Sequence, residues 1–306
     1  MIKFVKMHGI ANDYVYIDVV SDPALEQLFE GERGAALIRR MSDRHRGIGS
    51  DGVILVGRPH SGVAADVRMR MFNADGSESE MCGNGVRCVA KFAHDRLGVS
   101  AKPMRVQTGR GVLEIDYRVE GGKLVEATVD VGEPILDPRE VPVKMSEVSA
   151  TPEENIWAVD TPEGPWLATF VSMGNPHAVI FVDEDGIDDA AAIADLRGLD
   201  LARIGPRLEH HPAFPNRVNA HFVATQGFDE ATMRTWERGA GTTQACGTGA
   251  CAVVVAGVRT AKLSRDVLVH LPGGDLRIRW DEATNHVFMT GPAEDVFEGV
   301  WTADSR

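Results

Sequence analysis

The sequence predicts an α+β protein of two similar halves, each a set of short strands gathered around one apolar helix. Three observations predict it. Met81-Cys82-Gly83-Asn84-Gly85-Val86-Arg87-Cys88 in the first half is echoed by Ala245-Cys246-Gly247-Thr248-Gly249-Ala250-Cys251 in the second. Each motif sets a cysteine before a Gly-x-Gly turn and runs into an apolar segment, the pattern of a loop entering a buried helix. The Ala252-Val253-Val254-Val255-Ala256 run is apolar on nearly all sides, as a helix enclosed by a curved sheet must be. At 306 residues the chain is long for a single core, and the duplication divides it into domains of roughly 130 to 160 residues.

The elements follow in order. Ile2–Val20 reads as two short strands around a Gly-Ile-Ala-Asn-Asp turn. Ala35–Arg46 has helical periodicity and a basic end, and Gly47 stops it. Val53–Val56 and Val67–Phe72 are strand-like, and Asn73-Ala74-Asp75-Gly76 is turn chemistry. A helix over Arg87–Leu97 follows the first cysteine motif, then strands over Arg105–Thr108, Val112–Val119 and Val125–Val131. The second half repeats the rhythm: strands Trp166–Ser172 and Ala178–Val182, helix Ala190–Leu196, strands Val218–Ala224 and Thr232–Trp236, helix Ala250–Arg259, and strands Val267–Leu271, Leu276–Trp280 and Val287–Thr290. Asp137–Gly164, rich in Pro, Glu and Ser, reads as an inserted or mobile region.

Composition narrows the partners. With 43% apolar and 25% charged residues the chain is that of a soluble globular protein. A net charge of -13 argues against nucleic acid, whose phosphates require an excess of Lys and Arg. It leaves room for an anionic small molecule held by a few arginines and helix N-termini. Lys3, Lys6, His8, Asn12 and Asp13 interrupt any apolar leader, and the longest apolar stretch falls far short of the ~20 residues that cross a bilayer, so a cytoplasmic protein with no membrane partner is expected. There, the four cysteines are free thiols, metal ligands or catalysts in preference to a disulfide framework.

The spacings Cys-x5-Cys and Cys-x4-Cys do not put two sulfurs on one helix face, so no metal site is expected. Cys88 and Cys251 read as small core residues. Cys82 and Cys246 stand at helix entrances, where unpaired N–H groups and the helix dipole would acidify a thiol. If two such sulfurs face one carbon, one can remove a proton while the other delivers one from the opposite side, inverting the centre. Gly47-Ile48-Gly49-Ser50-Asp51-Gly52 has the G-x-G-x-x-G spacing of dinucleotide sites, but it follows a helix and leads into a strand, so it is read as a helix stop and tight turn. Asn12, Asn73, Asn175, Asn219, Glu237 and Arg238 lie at predicted turns or strand ends. Together they can donate to a carboxylate and accept from an ammonium, as an amino-acid headgroup requires.

With these residues in place the chain closely resembles the diaminopimelate epimerase family of cofactor-independent amino-acid epimerases. The resemblance rests on Lys6-Met7-His8-Gly9 with Asn12-Asp13, Arg44-His45-Arg46-Gly47-Ile48-Gly49, Phe72-Asn73-Ala74-Asp75-Gly76-Ser77, both cysteine motifs, Gly174-Asn175-Pro176-His177, Arg217-Val218-Asn219, Glu237-Arg238-Gly239-Ala240-Gly241 and Leu271-Pro272-Gly273-Gly274. Asn84 favours this branch over the related proline racemases. The resemblance implies two pseudo-symmetric domains, residues 1–131 with 293–306 and residues 132–292, each a mixed, mostly antiparallel sheet rolled around a central helix, with the active site in the cleft between them. It implies Cys82 and Cys246 as the acid–base pair. Asn12, Asn73, Asn175, Asn219, Glu237 and Arg238 would then grip the distal amino-acid end, and the N–H groups of Gly83, Asn84, Gly247 and Thr248 the reacting carboxylate, with His177 in support. It further implies no cofactor, an amino-acid substrate and a homodimer. Gly52 stands where some members have Gln, and Thr242 where many have Glu. A racemase of proline, hydroxyproline or histidine on the same scaffold is the alternative enzyme; a thiol redox or metal-binding protein is the alternative of another class.

Overall fold

The computed structural model describes residues 1–162, 164–182 and 189–302. Glu163, within the segment 137–164, and residues 303–306 at the end of the segment 293–306 lie outside the described residues. The chain packs as two compact units, Met1–Asp130 together with the chain from Thr290, and Val131–Met289.

The first unit runs β1 (Ile2–Gly9), β2 (Asn12–Asp18), α1 (Gly31–Ser42), β3 (Gly52–Gly57), β4 (Val67–Asn73), β5 (Glu78–Ser79), α2 (Gly83–Leu97), β6 (Met104–Thr108), β7 (Gly111–Glu120) and β8 (Lys123–Gly132). Its sheet runs from β1 through β2, β3, β4, β6 and β7 to β8, with β2–β3 and β4–β6 parallel and the remaining neighbours antiparallel. A parallel pair needs a long crossover, and α1 and α2 supply the two that occur here. Helix α2 packs against β1, β2, β3, β4 and β6, so the sheet wraps it. Val86, Cys88, Val89, Ala90 and Ala93 are fully buried, and Gly98 closes the helix in the left-handed conformation at φ 72°. On the opposite face, Phe29, Ile38 and Met41 cover Val15, Ile17, Val53 and Leu55.

The second unit repeats this order: β9 (Ser149–Ala150), β10 (Trp157–Thr161), β11 (Gly164–Ser172), β12 (Pro176–Phe181), α3 (Asp189–Gly198), α4 (Leu201–Glu209), β13 (Asn219–Thr225), β14 (Glu230–Glu237), β15 (Gly241–Thr243), α5 (Gly247–Arg259), β16 (Asp266–Leu271), β17 (Gly274–Trp280) and β18 (Val287–Pro292). Strands β12–β13 and β14–β16 are parallel, bridged by α3 with α4 and by α5. Helix α5 is sheathed by β11, β12, β13, β16 and β17, and residues Ala250–Ala256 have no exposed surface. The last strand, β19 (Glu294–Trp301), pairs antiparallel with β1 in the first unit. The α+β class is thus the observed one. No helix among the described residues is long and apolar enough to cross a membrane.

Three readings of the sequence are corrected. Helix α1 ends at Ser42, not Arg46, because the Asp43 carboxylate accepts the N–H groups of His45 and Arg46 at 2.8 and 2.9 Å, which turns the chain out of the helix. The segment 137–164 is not a peripheral insertion: Val141, Val143 and Val159 are core residues of the second unit. Helix α4 escaped the sequence reading because Gly205 and Pro206 interrupt it. Gly205 is required, since a Cβ there would stand 2.1 Å from the Trp236 ring.

Candidate active site

The first cysteine motif sits where the topology gathers strand ends. Register brings Gly9 opposite Asn12, Tyr14 opposite Gly52 and Gly52 opposite Asn73, so the two asparagines lie at one end of three adjoining strands. Cys82 is the N-cap of α2, half-buried, with its sulfur accepting the Gly85 N–H at 3.4 Å. Its thiol points at Asn12 Oδ1, 3.2 Å away, and Asn84 Nδ2 reaches the same oxygen at 3.4 Å. Asn12 is held in that orientation because its Nδ2 donates to Asp51 at 2.7 Å. Asp51 is in turn bound by Arg44 at 2.9 Å, and Arg44 also binds Asp13, which pairs with the buried Lys6. Burial alone would raise Asp13, but the hydrogen bonds and charges of Arg44 and Lys6 outweigh it and hold the carboxyl below its ordinary value. Asn73 takes a separate place, its Nδ2 donating to Ser77 Oγ at 3.0 Å in the turn after β4.

The second unit builds a matching site. Cys246 caps α5, and its sulfur lies 4.0 Å from Thr248 Oγ1. Asn219 opens β13 opposite His177 of β12. Its Oδ1 accepts the Arg238 N–H at 3.0 Å and its Nδ2 donates to the Pro176 carbonyl at 3.1 Å. Asn175 bonds His177 at 2.9 Å, and His177 bonds His221 at 2.8 Å. Glu237 accepts from Thr243, and the buried Glu209 fixes the following turn by accepting from Trp236 Nε1 at 2.7 Å and the Gly239 N–H at 2.9 Å. Arg238 is exposed, with one guanidinium nitrogen on the Asn216 carbonyl at 2.9 Å.

Both helix entrances carry spare donors. The first intrahelical bonds are Val86 N–H to the Cys82 carbonyl, 2.9 Å, and Ala250 N–H to the Cys246 carbonyl, 3.0 Å. The preceding N–H groups, those of Gly83, Asn84, Gly247 and Thr248 among them, therefore have no acceptor within their own helices. Such groups, at the positive end of a helix dipole, suit a carboxylate.

The acidified thiol expected at each helix entrance is not found at Cys246. Burial, and then the Glu237 carboxylate, push that thiol well above its ordinary value, and the Gly249 N–H and Thr248 hydroxyl do not offset them. A dipole acts within one helical turn, whereas burial of a charged sulfur in apolar surroundings acts from all sides. Burial likewise raises Cys88 to about 11, as befits a core residue. Burial, with His221 and Arg238, pushes His177 well below the usual histidine range, and burial takes His221 down to about 3, so both imidazoles are neutral.

Sequence reasoning singled out Cys82, Asn12 and Asn84, which the structure brings into direct contact, and Asn175, His177, Asn219 and Arg238, which it joins in one hydrogen-bonded run. It missed Asp51, His221 and Tyr14, whose buried hydroxyl is raised by burial and then by the Cys82 sulfur. His221 could have been found, being two residues after Asn219 on one strand face. The two departures also find a place. A Cβ at Gly52 would stand 2.0 Å from the Phe72 carbonyl oxygen, so this backbone admits no side chain there. Thr242 is exposed, and it is the adjacent Thr243 that bonds Glu237.

A family model described as diaminopimelate epimerase matches residues 4–136 and 169–296. The chain belongs to the diaminopimelate epimerase family. Members similar to it include the diaminopimelate epimerase of Desulfovibrio desulfuricans, 50% identical over 98% of both chains, and that of Agathobacter rectalis, 46% identical over 97% of this chain and 98% of its own. Among solved structures, a probable proline racemase from Agrobacterium radiobacter K84 superposes with a TM-score of 0.64 at 16% identity, covering 99% of this chain and 94% of that one. A hydroxyproline epimerase from Agrobacterium vitis gives a TM-score of 0.63 at 14% identity, covering 97% and 90%. At that identity the likeness is one of fold alone.

Proposed function

We propose that this chain is an isomerase that interconverts L,L- and meso-diaminopimelate, with Cys82 and Cys246 as the two bases. The observation that carries the reading is the duplicated site: two thiols, each the N-cap of a buried glycine-led helix, in a family named for this reaction. One cysteine thiolate takes the α-hydrogen, leaving a carbanion. The other thiol gives its proton to the opposite face, so the thiolate and thiol exchange places and the centre is inverted. For one isomer Cys82 is the base and Cys246 the acid; for the other the roles reverse.

The difficulty is acidity. An ordinary thiol has a pKa of about 8.5, far below that of an amino-acid α-hydrogen, and each unit of mismatch costs about 1.36 kcal/mol. Basicity at sulfur does not close that gap. Stabilisation of the developing carbanion supplies the difference, from the N–H groups of Gly83, Asn84, Gly247 and Thr248 acting on the reacting carboxylate. Asn12, Asn73, Asn175, Asn219, Glu237 and Arg238 hold the distal end, which carries both charges of a second amino-acid group. This polar set is the reason to prefer a diamino diacid over proline as substrate. No step in this scheme calls for a cofactor. The enzyme would work in the cytoplasm as a homodimer, supplying lysine and peptidoglycan precursors.

The test is replacement of each sulfur. Cys82→Ala and Cys246→Ala should each abolish epimerisation of L,L-diaminopimelate while leaving the far-UV spectrum and melting curve unchanged. Near wild-type turnover in either variant contradicts the assignment.

A further inference from the structure

Behind Asn175 runs a chain of buried polar groups that the scheme above does not use. Thr235 Oγ1 lies 2.9 Å from His221 Nδ1, His221 Nε2 lies 2.8 Å from His177 Nδ1, and His177 Nε2 lies 2.9 Å from Asn175 Oδ1. His177 and His221 have no exposed surface and Thr235 has 3%. The order of donors along this chain is fixed by its end. The Asn175 carbonyl oxygen only accepts, so His177 must carry its proton on Nε2. A neutral imidazole has one donor, so His177 Nδ1 accepts, from His221 Nε2–H. His221 Nδ1 then accepts the Thr235 hydroxyl proton. Each imidazole has a single tautomer, and the run of bonds points one way, from Thr235 to Asn175.

The steric surroundings hold the chain in place. A Cβ at Gly249 would stand 2.3 Å from His221 Cε1 and 2.9 Å from Cys246 Sγ, so the His221 ring fills the space a side chain would occupy beside the sulfur. We infer that Thr235, His221 and His177 act as a positioning chain that locks the Asn175 carboxamide, engaging its oxygen and leaving its amide nitrogen as the group offered to substrate. Asn175 is half-buried, and its carboxamide oxygen is the atom that faces His177. An asparagine free to rotate presents either an acceptor or a donor. One whose oxygen is held by His177 has its orientation fixed, with the NH2 group on the other side, and so favours a carboxylate over an ammonium group there. The inference rests on the proposed contact between Asn175 and substrate, and it makes His221 a positioning residue that sets specificity through His177 and Asn175.

The test joins a spectroscopic and a kinetic readout on the full chain. Long-range 1H–15N spectra of the histidine side chains should show His177 and His221 as neutral Nε2–H tautomers throughout about pH 6 to 8. Thr235→Val removes only the hydroxyl at the far end of the chain, and in it His221 should keep its Nε2–H tautomer, which the Asn175 end sets. His221→Phe should raise KM for L,L-diaminopimelate about tenfold with a smaller change in kcat. His221→Gln, which keeps one donor and one acceptor, should return KM to within about threefold of wild type. An Nδ1–H tautomer at His177 in the wild type overturns the inference, as does a folded His221→Phe variant with unchanged KM. The spectra need no substrate, so a wild type that fails to turn over diaminopimelate counts against the functional reading and leaves the chain to be judged by its tautomers.

Discussion

Gly249→Ala is the substitution that probes the second site most sharply. The added methyl would meet His221 Cε1 at 2.3 Å, His221 Nε2 at 2.8 Å and Cys246 Sγ at 2.9 Å. Ordinary contact between carbons is about 3.5–4.0 Å, so the ring or the helix entrance must retreat by about 1.2 Å. Neither is a loose end. The ring is fully buried and tied on both sides, at 2.9 Å to Thr235 and 2.8 Å to His177, and Cys246 belongs to the same helix. Overpacking of this kind costs about 1–3 kcal/mol, and a broken histidine hydrogen bond adds about 1 kcal/mol. The melting temperature should fall by about 5–10 °C. Turnover should fall by about a hundredfold, because a sulfur displaced by about 1 Å no longer meets the α-carbon in line. Calorimetry and an epimerisation assay measure the two effects. His221→Ala placed in the same chain removes the steric partner and should recover part of the lost stability, with a coupling of about 0.5 kcal/mol or more. A Gly249→Ala enzyme with a melting temperature within about 1 °C of wild type and turnover within about twofold would refute the reasoning.

Arg238→Ala should raise KM for diaminopimelate about tenfold or more with little change in kcat, since a lost charge-assisted hydrogen bond is worth about 1.5–3 kcal/mol; steady-state kinetics reads the split. Because burial and Glu237 raise Cys246, its thiolate fraction is small at neutral pH and grows tenfold per pH unit until its own pKa is passed. Iodoacetamide labelling of Cys246, followed by peptide mass, should therefore still be accelerating above about pH 9, and a plateau by about pH 8 contradicts the shift.

Much of the fold was legible because it is written twice. The repeated cysteine motif and the all-apolar Ala252–Ala256 run marked the two enclosed helices, alternating polarity marked the strands β4 and β14, and a short continuous apolar run marked β3. Legibility failed where distant groups decide local structure. The end of α1 depends on the Asp43 turn, α4 tolerates Pro206 because Leu201, Ile204 and Leu208 face a buried core, and Val141, Val143 and Val159 sit in a stretch whose overall composition looks like a loop. At the candidate site, residues beside Gly turns were found, since turn chemistry is local. Asp51 and His221 were not, because their importance comes from partners 39 and 44 residues away in sequence. The state of Cys246 was misjudged for the same reason, as helix position can be read from sequence and burial cannot.

The central claim is that two different groups remove and return the proton, and isotope placement in deuterated water tests it most directly. With L,L-diaminopimelate in D2O, early in the reaction, the meso product should carry deuterium at the inverted carbon while the recovered L,L substrate stays unlabelled, since the proton taken by one sulfur is not the one delivered by the other. Product that keeps its original hydrogen, or substrate that gains deuterium as fast as product forms, would show a single base at work.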